Sequence, residues 1–330
     1  MINTMKIFYN VTLLFLTLFI GSCAGDNPLI LDPVDKYLLK VVEQNNKLYT
    51  IGTEGKIFYS TDGNSWTKIN SNVNQTLTDI YFWDNQQTYI TGEKGLFLKS
   101  TDGGNNWDFT QIPSNQSFNS VFFLDKDMGW VSGNNGKLFI STNGGNSWQD
   151  TSFLDEGFLT EVYFENNGFG FVTGSKDAIF SEALLYITND FGQSWEEIDL
   201  SSYEINGIIN VKYFSNGIYI ISENKILYTS KSNKFKDFEI IADVNIADDN
   251  IENKFKITTM HLENNETIVA GFKGHNLGMI YNKDLNTFVK TNIHILDMIK
   301  FNSLEFYFGG YGYKIYKKNV NNIDIIELEQ

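Results

Sequence analysis

Four short segments of the chain share one pattern, in which Ser or Thr is followed by Asp or Asn, then by Gly, and then by Trp. The shared positions are Ser60, Asp62 and Trp66; Ser100, Asp102, Gly104 and Trp107; Ser141, Asn143, Gly145 and Trp148; and Thr188, Asp190, Gly192 and Trp195. The tryptophans are 41, 41 and 47 residues apart, and a period of this size is typical of propellers and solenoids. In such a turn the Asp or Asn accepts backbone N–H groups, Gly supplies a positive φ, and the Trp is expected to bury its ring beside the next repeat. The pattern predicts architecture, and its residues are predicted to be structural.

Weaker copies of the same unit can be recognised once these four segments fix the positions of the repeats. The loop between the second and third strands recurs at residues 51–60, 91–100, 132–136, 173–186, 222–229, 271–281 and 309–316. Seven four-stranded units of about forty residues are typical of a β-propeller. The last three units lack the turn motif, and Phe235 and Phe288 are expected to replace its Trp. Two ways of completing the last blade stay open, with residues 323–327 or with residues 29–34.

The first residues predict export and a lipid anchor. Lys6 precedes a short apolar run, and Ile20-Gly-Ser-Cys23 follows it, which is the order of a signal peptide that ends in a small-residue cleavage site. The tetrapeptide resembles a bacterial lipobox, in which the cysteine is acylated. The predicted organisation is a signal peptide over residues 1–22, a lipid-anchored tether over 23–37 and the propeller over 38–330.

The turn motif resembles the Asp-box of sialidases, sortilin-type receptors, some glycanases and Ycf48-like proteins. Residues 117–148 are similar to the repeat of the Ycf48/Hcf136-like propellers, and residues 76–107 nearly as similar. This resemblance implies an all-β fold, a seven-bladed β-propeller of four-stranded antiparallel blades with Asp-box hairpins. It also implies a non-enzymatic assembly factor that holds a membrane-protein partner. Such family members use an arginine patch, which this chain does not have.

The composition excludes several functions. The net charge is −15 and all 25 basic residues are lysine, so nucleic acid and anionic lipid surfaces are not expected partners. Sialidases bind their substrate carboxylate with three arginines, whose bidentate geometry lysine does not reproduce. A glycosidase with two carboxylates stays open, since acidic residues are plentiful.

No catalytic, metal or cofactor site is predicted. His261, His275 and His294 are isolated, and the acidic loop 241–255 leaves calcium binding open without matching an EF-hand. The acidic residues expected first at the mouth of a central channel are Glu54, Glu93, Asp177 and Glu223. A solvated rim that alternates with lysines is the preferred interpretation of these four residues.

Partner binding is expected on the face where the loops between second and third strands meet the loops between blades. Phe153, Phe158, Phe180 and Tyr203 lie in or near its longest loops. They are candidate exposed anchors for a partner, and packing within those loops is an equally weighted alternative.

Two functional hypotheses follow. The first is a lipid-anchored envelope propeller that binds another envelope protein, in particular a membrane protein, as scaffold or assembly factor. The alternative is a surface lipoprotein that binds or cleaves glycans. Ala24 follows the lipobox cysteine, which favours the outer membrane, and contact with the membrane is expected through the N-terminal lipid only.

Overall fold

The computed structural model describes residues 36–177, 180–214, 217–230, 235–243, 255–263, 266–273, 277–282, 287–291, 295–301, 304–309, 313–318 and 323–328. Cys23, the signal peptide and most of the predicted tether lie outside these residues. The same holds for His275, His294, residues 29–34 and residues 244–254 of the acidic loop. Among the described residues, no helix is both long and apolar enough to cross a bilayer.

The described strands form four-stranded antiparallel sheets, each made of four consecutive strands. Sheet 1 contains β1 (Leu38–Gln44), β2 (Lys47–Gly52), β3 (Ile57–Ser60) and β4 (Thr67–Ile69). Sheet 2 contains β5 (Leu77–Phe82), β6 (Thr88–Gly92), β7 (Leu96–Ser100) and β8 (Asp108–Gln111). Sheet 3 contains β9 (Phe118–Phe123), β10 (Gly129–Gly133), β11 (Leu138–Ser141) and β12 (Gln149–Asp150). Sheet 4 contains β13 (Phe158–Phe164), β14 (Gly170–Ser175), β15 (Ala183–Thr188) and β16 (Glu196–Glu197).

The C-terminal part continues the same order. Sheet 5 contains β17 (Ile208–Phe214), β18 (Gly217–Ser222), β19 (Lys225–Thr229) and β20 (Glu239–Asp243). Sheet 6 contains β21 (Phe255–Glu263), β22 (Glu266–Lys273), β23 (Leu277–Asn282) and β24 (Thr287–Thr291). Sheet 7 contains β25 (Asp297–Phe301), β26 (Leu304–Gly309), β27 (Lys314–Lys318) and β28 (Ile323–Glu327). Three short 3-10 turns lie at Thr53–Gly55, Glu93–Gly95 and Ser201–Tyr203.

The predicted count of seven blades with Asp-box hairpins needs a correction. Sheets 1 to 5 are five complete blades, and sheets 6 and 7 are described by their strand pairing. The Asp-box occurs in sheets 1 to 4 only. The sequence overstated the regularity because C-terminal loops without an Asp-box Trp were counted equally with the four complete motifs. What the structure supports in full is an all-β propeller with four-stranded antiparallel blades.

The first strands of the sheets surround a common axis. Each first strand contacts the first strand of the next sheet, and β1 also contacts β25. The second strands are the most deeply buried elements, with every residue of β6, β10, β14 and β18 buried. The fourth strands β12 and β16 are two residues long and exposed. Strand order from the axis outward is therefore first, second, third and fourth.

The core lies between adjacent sheets. One cluster joins Tyr49 and Ile51 of sheet 1 to Ile80 and Leu98 of sheet 2. Other clusters join sheet 2 to 3, 3 to 4, 4 to 5 and 5 to 6 in the same way. Apolar side chains on both faces of the second and third strands form these layers between the sheets. Burial between sheets is the main favourable term in this fold.

Candidate functional site

The Asp-box turns are organised by side-chain acceptors. In sheet 2, Ser100 Oγ donates to Asp102 Oδ1 at 2.8 Å and accepts from the backbone N–H of Gly104 at 2.8 Å. Asp102 Oδ1 accepts from the N–H groups of Asn105 (3.0 Å) and Asn106 (2.9 Å). Equivalent bonds occur in the turns of sheets 1, 3 and 4. These atoms are used within the turn, which gives the motif a local role.

Two of these aspartates carry strongly shifted pKa values. Backbone N–H donors from Ser65 and Asn64 lower the pKa of Asp62 to about 2. The hydroxyl and backbone N–H of Ser194 lower the pKa of Asp190 to about 2. Hydrogen bonds to a carboxylate favour its charged form. The turns therefore hold fixed negative charges that are not suited to proton transfer at neutral pH.

The Asp-box tryptophans pack toward the preceding repeat, whereas the sequence predicted contact with the next one. Trp148 of sheet 3 lies edge-on against Phe97 of sheet 2, with ring centroids 5.0 Å apart. Trp107 of sheet 2 belongs to the core cluster that contains Tyr49 of sheet 1. Trp195 stacks at 4.8 Å on Phe153, which follows sheet 3. The hairpin before the fourth strand leans back because the neighbouring third strand offers an apolar surface there.

One face of the propeller is formed by two sets of loops, which we call the loop face. Turns between second and third strands donate backbone hydrogen bonds to the loops that lead into the next sheet. Gly55 N–H donates to Gln75 O at 2.9 Å, and Gly95 N–H donates to Gln116 O at 2.8 Å. Bonds on the opposite face join the Asp-box turns to the turns between first and second strands, as in Gly103 N–H to Gln86 O at 2.9 Å. The two faces are thus built from different loops.

The aromatic residues predicted as anchors are not exposed on the loop face. Phe158 and Phe180 are 7% and 5% exposed, and their rings lie 6.2 Å apart. Phe153 is half-buried against Trp195. Tyr203 is half-buried, and its hydroxyl accepts from the N–H of Phe238 at 3.3 Å. Longer loops need apolar filling of their own, and these rings supply it.

The four acidic residues expected at the channel mouth are held in separate local contacts. Glu54 accepts from the Tyr313 hydroxyl at 3.0 Å, and Glu93 accepts from the N–H of Thr76 at 3.4 Å. Asp177 accepts from the N–H of Ser181 at 2.9 Å. Glu223 pairs with a lysine of β21 at 2.9 Å. The structure assigns each to a different sheet and shows no shared site among them.

A ring of polar side chains lines the axis instead, and we call it the inner ring. In each first strand, one polar residue pairs with a residue one to three positions before the end of the second strand. These residues are Lys40, Asp79, Ser120, Glu161, Asn210, Thr259 and Asp297. Register shifts lie just before or beside these positions in sheets 1 to 6, and bulges of this kind re-aim a side chain.

Inner-ring acceptors connect sheet 2 to sheet 3 and sheet 3 to sheet 4. Asp79 Oδ2 of sheet 2 accepts from the N–H of Val121 in sheet 3 at 3.0 Å. Ser120 Oγ of sheet 3 accepts from the N–H of Val162 in sheet 4 at 3.2 Å. Because first strands face the axis, their N–H groups are satisfied by the neighbouring sheet rather than by another strand. This is a repeated link between blades.

Two ion pairs reinforce the inner ring. Lys40 Nζ lies 3.1 Å from Asp79 Oδ1, and Lys212 Nζ lies 3.0 Å from Asp297 Oδ1. The two aspartates are only 6% and 1% exposed, whereas the lysines keep 24% and 22% of their side chains accessible. The lysines therefore border the solvent-accessible part of the axis while their partners lie in its wall.

The side chain of Asp297, in sheet 7, contacts three other sheets. It accepts from the N–H of Val41 in sheet 1 at 3.1 Å, from Thr259 Oγ1 in sheet 6 at 3.0 Å, and from Lys212 in sheet 5. Burial opposes ionisation of Asp297, but Lys212, Lys40 and the Val41 N–H outweigh it and lower its pKa. Sheets 7 and 1 are thereby held together through a buried carboxylate.

Glu161 has a weaker set of partners than the two aspartates. Ser120 Oγ donates to its Oε1 at 3.4 Å. Burial is the largest influence and raises the pKa of Glu161 to about 7, with Asp79 adding to the increase and Lys40 and Lys212 opposing it. The pKa of Lys40 is raised, because nearby carboxylates, led by Asp79 and Glu161, outweigh its burial. Glu161 is the inner-ring carboxyl with a pKa near neutrality.

Sequence reasoning missed the inner ring, although a signal was available. A polar residue recurs in each first strand at nearly the repeat spacing, for example Asp79, Ser120 and Glu161 at 41-residue intervals. Among the described residues, no group of three or more His, Cys, Asp or Glu side chains is placed to hold a metal ion. His261 is half-buried in β21.

Residues 58–157 match the family model described as Photosynthesis system II assembly factor YCF48, which confirms the predicted resemblance. No curated protein matches the sequence at a significant level. The structure is similar to YCF48 from Cyanidioschyzon merolae, with TM-score 0.63 and 15% identity over 89% of this chain and 98% of that chain. It is also similar to a YCF48 bound to D1 peptide, with TM-score 0.61 and 16% identity over 88% of this chain and 93% of that chain.

A glycanase shares the same fold over part of its length. The GH74 xyloglucanase from Xanthomonas campestris matches with TM-score 0.66 and 10% identity, over 86% of this chain but 52% of that chain. This chain thus spans about half of that enzyme. At these identities the solved structures show the fold alone.

Proposed function

We propose that this chain is a lipid-anchored envelope propeller that binds another protein as a non-enzymatic scaffold or assembly factor. The observation that carries the proposal is the match of residues 58–157 to the YCF48 assembly-factor model. A YCF48 with the same propeller fold binds a D1 peptide, which supports a polypeptide as the cargo of this chain. The cargo we propose is a membrane or envelope protein.

The geometry of the described residues supports binding over catalysis. The Asp-box carboxylates are used by their own turns, and the four acidic residues of the loop face lie in separate contacts. Lys40 and Lys212 neutralise Asp79 and Asp297 in the inner ring. A rigid ring with polar loops on one face is a suitable platform for a partner.

The lipid anchor is part of the proposal and rests on Cys23 after Ile20-Gly-Ser. Several acyl chains together give stable membrane attachment, at about 0.8 kcal/mol per buried methylene. Metabolic labelling with an alkyne fatty acid tests it, and we expect label on the wild type and none on Cys23→Ala. Equal labelling of both proteins contradicts the anchor.

The binding role is tested by affinity purification of the tagged lipoprotein from detergent-solubilised membranes. We expect one membrane or envelope protein in stoichiometric amount, retained after washing with moderate salt. An Asp237→Asn protein, altered at an exposed residue, is the matched control and should recover the same partner. Recovery of no stoichiometric protein by either sample contradicts the scaffold role.

A glycan-cleaving function is the second candidate, because Glu161 has a pKa near neutrality beside aspartates that are paired with lysines. Glycosidases need two carboxyl groups whose environments push their pKa values apart. Purified protein should be screened against aryl glycosides and polysaccharides. Turnover that is lost in Glu161→Gln but kept in Glu196→Gln favours this candidate over the scaffold.

A further inference from the structure

The entry of the chain into the propeller determines which face lies near the N-terminal anchor. Tyr37 precedes β1, and its N–H donates to Thr53 Oγ1 at 3.0 Å while its carbonyl accepts from the N–H of Thr53 at 3.0 Å. Thr53 belongs to the turn between β2 and β3, which is part of the loop face. The chain therefore enters the fold from the loop face.

Equivalent contacts in the next sheets confirm this assignment of the face. Thr76 and Ser117 precede β5 and β9, and their carbonyls accept from the N–H groups of Glu93 and Asn134 at 3.0 and 2.9 Å. Lys36 also stays at this face, where its Nζ lies 5.7 Å from the ring centroid of Tyr313. The first described residue and the loop face are thus fixed to each other.

The distance between anchor and propeller is limited by the sequence. Residues 23 and 36 are separated by thirteen peptide bonds, which span about 45 Å when fully extended and about 20 Å on average as a flexible chain. A first strand of seven residues such as β1 is itself about 23 Å long. Turning the Asp-box face to the membrane would require the tether to cross sheet 1 from its first to its fourth strand, about 14 Å, and then to run the height of the blade. The two distances together use most of its extended length.

The loop face is acidic in its exposed part. Asp155 and Glu156 are exposed in the loop between sheets 3 and 4, and Glu204 is 86% exposed in the loop between sheets 4 and 5. Among the described loops of this face, acidic residues outnumber lysines. Such a face repels anionic lipid headgroups and attracts basic polypeptides.

We propose that the loop face is turned toward the membrane that holds the lipid anchor, and that it receives there a basic segment of a protein in the same membrane. This inference rests on the proposed function, since it requires both the anchor and a polypeptide cargo. It assigns the interaction surface and gives the partner segment a charge opposite to that of the loop face.

Orientation is tested with the full lipoprotein in phosphatidylcholine vesicles. Cys23 is the only cysteine, so an introduced cysteine is the only free thiol once Cys23 is acylated. Lys94→Cys on the loop face and Lys126→Cys on the opposite face are matched, because both replace an exposed lysine. Each is labelled with a donor dye, and energy transfer to an acceptor-labelled lipid is measured.

We expect clearly greater transfer from position 94 than from position 126. Equal transfer, or greater transfer from position 126, overturns the proposed orientation even though the anchor is intact. Absence of the fatty-acid label at Cys23 is a different failure, because it removes the proposed anchor itself.

The charge of the partner segment is tested with a hexalysine peptide and a hexaglutamate peptide as probes. The Asp155→Lys, Glu156→Lys protein changes the loop face, and the Asp108→Lys, Asp127→Lys protein makes the same charge change at exposed residues near the opposite face. We expect hexalysine binding to weaken about tenfold in the first protein at low salt and to stay within about twofold in the second. Equal weakening in both, or tighter binding of hexaglutamate than of hexalysine to wild type, overturns the assignment.

Discussion

Glu161→Gln should change how the stability of the propeller depends on pH. The pKa of Glu161 is raised from 4.5 to about 7, mainly by burial, and one pKa unit corresponds to about 1.4 kcal/mol. Ionising this carboxyl therefore costs on the order of 3 kcal/mol more in the folded protein than in the unfolded chain. Glutamine keeps the shape of the side chain and the acceptor for Ser120, but it does not ionise.

The sign follows from the raised pKa. Below pH 4.5 the carboxyl is protonated in both the folded and the unfolded chain, and Glu161 then has no cost. Between pH 4.5 and about 7 the unfolded chain releases this proton more readily, so the free energy of unfolding of wild type falls as pH rises. The difference between Glu161→Gln and wild type should rise in favour of the variant by about 3 kcal/mol between pH 4.5 and 8.

Urea unfolding followed by tryptophan fluorescence measures this difference at fixed ionic strength from pH 4.5 to 8. Both proteins carry Cys23→Ala, so that no lipid is present. Glu196→Gln, in the exposed strand β16, controls for the loss of one negative charge. A difference between Glu161→Gln and wild type that stays flat over this range refutes the assigned environment of Glu161.

Three further substitutions separate the inner ring from the Asp-box turns. Asp297→Asn should lower the free energy of unfolding by about 3–5 kcal/mol, because it leaves Lys212 without its buried counter-charge; urea unfolding measures it, and a loss no larger than that of Asp237→Asn contradicts the role. Trp107→Ala should cost about 3–5 kcal/mol, because it empties a large site in the layer between sheets 1 and 2, whereas Phe109→Ala, at a residue that is 51% exposed, should melt like wild type. Asp102→Ala should cost about 1 kcal/mol at pH 7 through lost turn hydrogen bonds. Its pKa is lowered from 3.8, so this contribution should decrease as pH falls from 3.8 through the lower folded pKa, and a cost that does not decrease as pH falls contradicts it.

The architecture was predictable where local chemistry repeats. Ser100, Asp102 and Trp107 form a turn whose hydrogen bonds lie within seven residues, so the spacing of such turns indicates the period of the fold. The direction in which Trp107 leans was not predictable, because it depends on Tyr49 in another repeat.

The inner ring escaped prediction because its contacts join distant parts of the chain. The hydrogen bond from Val41 N–H to Asp297 links residues 256 positions apart. A local sequence pattern does not show which two residues form such a pair. In the sequence Glu161 resembles an ordinary strand residue. Its raised pKa depends on burial and on Asp79 and Lys212, which only the fold places near it. Of the two interpretations left open for the aromatic residues, packing holds for Phe158 of β13 and for Phe180 of the loop after β14, because both side chains are buried.

The axis of the propeller and the loop face differ in their charge. The inner ring places Lys40 and Lys212 against Asp79 and Asp297, and Glu161 takes up a proton near neutral pH. The axis is therefore close to electrically neutral below that pH, although the whole chain has a net charge of −15. Among the described residues, Asp155, Glu156 and Glu204 are exposed acidic residues of the loop face, where the chain enters the fold. Tyr37, which precedes β1, is hydrogen-bonded to Thr53 of the loop face. The described chain therefore enters the fold there, and this is the face that we propose for contact with proteins of the same membrane.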